Sequence, residues 1–182
     1  VETETYAQGF IATFPSRIQS RQLVEIRFTS PIYLQSTRFD AYLQDSAQLQ
    51  TRQLVDPGDA AAQIHSSSNV IGIPLAQTLF SNLTLNSPLI TPNGDGINDL
   101  LTLSFDLVNV LAARPMRLQL YDLAGRRLFA AEREAQAGHH ELHWNGRNQQ
   151  GDLSPPGLYI LQLGIAGDAG EHSLRRTISV AY

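Results

Sequence analysis

Residues 91–99 read Thr-Pro-Asn-Gly-Asp-Gly-Ile-Asn-Asp and crowd side-chain oxygens around two glycines. Calcium takes an all-oxygen shell, and loops of the Asp-x-Asp-x-Asp-Gly kind supply it from positions 1, 3, 5, 7 and 9. With Gly96 at position 6, Thr91, Asn93 and Asp95 fall at 1, 3 and 5, the Ile97 carbonyl at 7 and the Asp99 carboxylate at 9. The spacing therefore proposes Thr91, Asn93, Asp95, Ile97 and Asp99 as ligands of a calcium ion. Two departures weaken the set. Position 1 is threonine, and position 12, where a bidentate Glu is usual, is Thr102. The competing reading is a glycine-rich turn in which Asn93, Asp95 and Asn98 hydrogen-bond their own backbone.

His139-His140-Glu141-Leu142-His143 is the second group with chemistry. On a strand, His139, Glu141 and His143 share one face at about 6.6 Å steps. That placement fits a three-ligand zinc site or, more simply, a polar outer face, with His140, Leu142 and Trp144 turned the other way. The helical H-E-x-x-H spacing is absent. Arg126-Arg127 and Arg175-Arg176 are basic pairs, read as solvated positions or partner contacts. Asn82-Leu83-Thr84 matches a glycosylation sequon, a pattern short enough to arise by chance. No G-x-S-x-G elbow stands at a strand–helix junction, and the acidic residues scatter over loops without a cleft pattern.

The elements that must carry these residues are strands. Val24–Phe28, Leu101–Phe105, Met116–Tyr121, His140–Trp144, Leu158–Leu163 and Leu174–Val180 alternate apolar and polar residues. Ile32–Leu34, Phe39–Leu43 and Val70–Leu75 are shorter candidates. Val55–Asp59, Asp122–Arg126 and Gly167–Gly170 carry turn chemistry, and Glu132–Gly138 reads as a polar connection. Ala60–Gln63 is a possible single helical turn, too short to stand alone. Short strands at regular spacing predict an all-β chain of two tandem immunoglobulin-like β-sandwiches. The expected boundaries are 1–84 for a first sandwich of unknown family, 85–92 for a linker and 93–182 for the second sandwich.

Composition narrows the function. The chain has 182 residues, 42% hydrophobic and only 16% charged, below the roughly 25% charged of an average globular protein. A net charge of -4 argues against a general nucleic-acid binder. No apolar run reaches the roughly 18 residues of a membrane helix. The absence of cysteine excludes disulfides, thiolate zinc sites and cysteine nucleophiles. Low lysine usage and polar uncharged stretches suit a secreted surface. A start at Val1 without a signal peptide suggests a processed or excised piece.

Tyr121-Asp122-Leu123-Ala124-Gly125-Arg126-Arg127-Leu128 is followed in order by Gly138-x-His140, Trp144-Asn145-Gly146-Arg147 with Gly151, and Pro156-Gly157-Leu158-Tyr159. This order resembles the immunoglobulin-like domain of the flagellar hook-capping protein FlgD and the C-terminal sorting domains of type IX secretion cargo. The Thr91–Asp99 run is similar to the TPNGDGIND start of gliding-motility-type C-terminal domains. Asn145 stands where the families often carry Asp. The resemblance covers about half of the chain. It implies an immunoglobulin-like fold, recognition by secretion machinery and, through the hook-capping likeness, self-assembly.

The expected function is a non-catalytic C-terminal module of a larger secreted or cell-surface bacterial protein. It would serve as a spacer, sorting signal or assembly domain. Its partners would be a protein or the secretion machinery, met at an edge strand such as Leu174–Val180. No enzyme, nucleic-acid or membrane-spanning role is expected. The alternative is a calcium-structured module that binds carbohydrate or a surface through exposed aromatics, with Tyr6, Tyr33 and Tyr42 as candidates.

Overall fold

The computed structural model describes residues 1–19, 21, 23–48, 50–58, 69–74, 78–167 and 170–182. The expected helical turn Ala60–Gln63 lies outside the described residues. So do Asp59 of the expected Val55–Asp59 turn, Leu75 of the Val70–Leu75 strand, and Asp168 and Ala169 of the Gly167–Gly170 turn.

Every regular element among the described residues is a strand, as the alternation predicts. The chain divides into two compact units, Val1–Ser30 with Gly58–Ser67, and Pro31–Pro57 with Ser68–Tyr182. The first unit contains β1 (Glu2–Tyr6) and β2 (Gly9–Thr13), an antiparallel ribbon. The rings of Phe10 and Phe28 meet at 5.4 Å between centroids in this unit. Val24–Phe28 forms no strand despite its alternation, and its apolar residues are exposed. A period-2 pattern defines a face, but a strand also needs a place in a ladder, and none of the described sheets includes these residues.

The second unit opens with short ribbons. β3 (Ser36–Arg38) pairs with β6 (Val70–Gly72), and β4 (Tyr42–Gln44) with β5 (Arg52–Leu54). No described residue before Phe80 is buried. Three-residue strands cannot bring enough apolar surface together to close a core of their own.

From Phe80 onward the chain builds a packed immunoglobulin-like sandwich. Its strands are β7 (Phe80–Leu85), β8 (Leu89–Ile90), β9 (Leu101–Leu107), β10 (Arg114–Asp122), β11 (Arg127–Ala135), β12 (Gly138–Trp144), β13 (Gly157–Gly167) and β14 (Gly170–Val180). One sheet has the order β11-β10-β13-β14-β8, the other β12-β9-β7. Alternation decides which side chains enter. In β9, Leu101, Leu103, Phe105 and Leu107 are buried and the residues between them are not. Met116, Leu118, Leu120, Leu161, Leu163, Ile165 and Ile178 face them from the other sheet. Fully burying one such side chain stabilises the fold by about 1.5–3 kcal/mol.

Two segments differ from the sequence expectation. Glu132–Ala135, read as a connection, continues β11 against Arg114–Arg117. Its polar composition reflects a strand at the edge of its sheet, where one side faces water. The 85–92 stretch, expected as a linker, is itself tied into the sandwich. β8 pairs parallel with Ser179 and Val180, and Ile90 is fully buried.

Candidate functional site

The 91–99 loop leaves the end of β8 and returns at β9. Pro92 is buried, Thr91 and Asp99 are half-buried, and Asn93, Asp95 and Ile97 are exposed. Positive φ angles at Gly94 (87°), Gly96 (84°) and Asn98 (54°) coil the loop tightly. Asp99 organises it by accepting from the Gly94 N–H at 2.7 Å and from the Gly96 N–H at 2.6 Å. Asp95 accepts from the Ile97 N–H at 2.7 Å and from the Asn93 amide at 3.1 Å. Asn93 Oδ1 accepts from the Asp95 N–H, and the Thr91 hydroxyl donates to the Ile97 carbonyl at 2.9 Å. Each of the five expected calcium ligands is thus engaged inside the loop, and Thr91, Asn93, Asp95 and Ile97 bond among themselves.

Asp99→Asn is expected to lower stability by about 1–2 kcal/mol, because hydrogen bonds to a charged acceptor are stronger than those to a neutral one. The loss should be the same in EDTA and in millimolar calcium, read by thermal melts. A midpoint that rises with calcium in the parent chain, and no longer in Asp95→Ala, would assign the loop to the metal instead.

The outer face of the β12-β9-β7 sheet carries the second group. His139, Glu141 and His143 are exposed, while His140, Leu142 and Trp144 turn inward. His140 stacks on Phe105 at 5.7 Å. Among the described residues no three His, Asp or Glu side chains gather as a metal site. His139 sits directly opposite Asp106 on β9. Its Nδ1 lies 2.7 Å from Asp106 Oδ1 and its Nε2 lies 3.1 Å from Ser104 Oγ. Sequence reasoning missed this Ser104–His139–Asp106 line. Ser104 and Asp106 are two apart on one strand, but only the β9–β12 register brings His139 to them.

Two of the three requirements for a serine nucleophile are present: a base beside the hydroxyl and a carboxylate orienting the base. The third, donors for an oxyanion, is not supplied by the paired backbone of β9. β9 lies between β12 and β7, so its amides serve the ladders on both sides. The face is also open to water, with the His139 side chain 51% exposed.

Asn82, held at φ 50° where the β7–β9 register shifts, donates to Asp106 at 2.7 Å. That hydrogen bond first, and the His139 bond second, hold the Asp106 carboxyl below the usual aspartate range. A carboxyl depressed on folding adds stability that is complete above its unfolded value, about pH 3.9. The contribution disappears as the pH falls through the lower folded value. The stability gap between the parent chain and Asp106→Asn should therefore be widest near neutral pH and close in acid, measured by denaturant unfolding across pH.

The arginine pairs have ordinary partners. Arg126 donates to Asp122 at 3.0 Å within the hairpin, and Arg175 donates to Gln162 at 2.9 Å. Of the candidate aromatics, Tyr6 and Tyr42 are exposed and Tyr33 is half-buried. The Arg52 guanidinium covers the Tyr42 ring at 4.1 Å.

The remaining motif residues interlock around Trp144. Its ring is buried between Phe129 and Tyr159, each at 6.4 Å, and its Nε1–H donates to the Arg147 carbonyl at 2.7 Å. Tyr159 donates to the Pro155 carbonyl, and Tyr182 to the Ser154 carbonyl. Gly146, at φ 76°, packs so closely on Pro92 that an added Cβ would stand 2.5 Å from the Pro92 Cγ.

A family model described as the CHU_C type IX secretion signal domain matches residues 83–176, just over half of the chain. The chain belongs to the CHU_C family. The matched residues fall on the sandwich, so the CHU_C part is a sorting- and secretion-related module. No curated protein matches the sequence. Among solved structures, the chain is similar to dimeric latent PorU from Porphyromonas gingivalis, at 12% identity and TM-score 0.46 over 63% of this chain and 11% of that one. It is similar to FlgD from P. aeruginosa at 21% identity and TM-score 0.37, over 44% of this chain and 61% of that one. PorZ, a surface component of the P. gingivalis type IX secretion system, follows at 17% identity and TM-score 0.35, over 56% and 12%. Among the described residues no helix is long and apolar enough to cross a membrane.

Proposed function

We propose that this CHU_C chain is the non-catalytic sorting module of a longer exported bacterial protein, read by the type IX secretion machinery and ending outside the cell. The observation that carries the reading is the family match over 83–176, which coincides with the only packed core among the described residues. A closed sandwich presents edges, loops and rigid faces, which suits recognition by another protein.

The test is export of a reporter. A periplasmic reporter carrying the chain at its C-terminus should reach the cell surface or medium of a bacterium with this secretion system. It should stay inside a secretion-deficient strain. Equal export without the chain would sink the proposal. The Ser104–His139–Asp106 line is checked separately with a serine-reactive fluorophosphonate. The expected result is no labelling; labelling lost in Ser104→Ala would contradict the non-catalytic reading without touching the export result.

A further inference from the structure

β14 pairs with β13 along its full length, but with β8 only at Ser179 and Val180. The Ser179 N–H points to β8, donating to the Pro88 carbonyl at 2.8 Å. Backbone groups alternate along a regular strand. Glu171, Ser173, Arg175 and Thr177 therefore aim their N–H and C=O groups at the same edge. Among the described residues these groups have no backbone partner there. The opposite edge of the sheet is partly closed, because Gln149 bonds to Leu128 and Ala130 of β11. Rows of unpaired strand groups are templates for another strand unless something blocks them.

We infer that this free edge of β14 docks a second copy of the chain, strand against strand and antiparallel, about a two-fold axis at Ser173. Charge selects the register. An axis at Ser173 sets Glu171 opposite the second copy's Arg175, twice, on the exposed face. Axes at Glu171 or Arg175 would oppose like charges. Axes at His172 or Leu174 would leave both charges unmatched. Among the described residues neither Glu171 nor Arg175 forms a direct salt bridge in its own chain. The Glu171 carboxylate lies over Gly164 and acts on Arg117, and Arg175 donates to Gln162, so both side chains swing to the edge on docking.

The other face also accommodates this register. Arg176, on the core-facing side but exposed, falls opposite Gly170, which has no side chain to collide with it. The Arg176 guanidinium donates to the Arg175 carbonyl at 2.9 Å, and a carbonyl has a second lone pair for the incoming N–H. About seven residues from each copy would pair, a small interface, so the association is weak, on the order of micromolar. The inference rests on the edge alone and stands apart from the export reading.

Sedimentation of the full chain over a concentration series tests it. The parent chain should show a monomer–dimer equilibrium that weakens with salt. Arg175→Glu or Glu171→Arg alone should raise the dissociation constant about tenfold or more, by placing like charges opposite each other twice. The double swap Glu171→Arg with Arg175→Glu should restore the parent value to within a few-fold. Ser173→Pro, which removes an edge N–H the monomer does not use, should abolish the dimer while the thermal melt stays cooperative. A chain that stays monomeric at every concentration would overturn the inference and make Arg176 a guard of the edge. A dimer indifferent to both single charge changes, or one the double swap fails to restore, would overturn it too.

Discussion

Trp144→Ala is expected to lower the unfolding free energy of the sandwich by about 3–5 kcal/mol. Trp144 ends β12, is 2% exposed, and wedges between Phe129 of the five-stranded sheet and Tyr159 of β13. Removing it opens a cavity that two sheets cannot both relax into, and frees the Arg147 carbonyl. Trp144→Phe keeps much of the ring but loses the Nε1 donor, and should cost about 1–2 kcal/mol. Urea unfolding followed by far-ultraviolet circular dichroism reads all three chains, since the variants lose the one tryptophan fluorophore. Leu123→Ala, at an exposed turn position, serves as the reference and should change stability by less than about 0.5 kcal/mol. A Trp144→Ala chain as stable as that reference would contradict the packing described for β12.

The second large effect is at Gly146. Gly146→Ala is expected to cost about 2–5 kcal/mol, combining a left-handed backbone with overpacking. The new methyl would meet the Pro92 Cγ at 2.5 Å and Cβ at 2.8 Å. A proline ring cannot swing aside as a flexible side chain would. Gly151 provides the comparison. Its φ is 88°, but nothing lies within 4 Å of an added Cβ. Gly151→Ala should therefore cost only the backbone share, about 1–2 kcal/mol. The difference in denaturation midpoint between the two variants isolates the Pro92 contact. Equal midpoints would show that Pro92 yields after all.

These two positions explain what the sequence made legible. Alternation named β9, β10, β12, β13 and β14 and their inward faces, because one buried side imposes period two on them; β7 and most of β11 did not show it. Turn chemistry placed Gly125, at φ 80°, in the hairpin where Asp122 accepts from the Ala124 and Arg126 amides. The Thr91–Asp99 and Trp144–Gly146 motifs appeared as separate words, yet in the fold they are one contact, Pro92 on Gly146. Sequence spacing carries no distance between strands that are remote in the chain. For the same reason the His139 pairing with Ser104 and Asp106 was illegible, although the outward faces of His139 and Ser104 follow from the alternation, which was read only as far as Phe105. β8 was missed because two paired residues are too short to show a period. Val24–Phe28 shows the converse: the pattern is there, but none of the described sheets includes it.

The parallel pairing of β8 with the end of β14 also bears on what happens when the chain is pulled. The Ser179 amide holds the Pro88 carbonyl at 2.8 Å, and the Ala181 amide holds the Ile90 carbonyl at 3.0 Å. A tug on the segment before β8 against the segment after β14 runs along these strands and at right angles to their bonds. The bonds are then loaded together in shear and must fail at once, whereas a hairpin opened from its end loses them one by one. Once β7 has been stripped from β9, this clasp is what resists further extension of the sandwich.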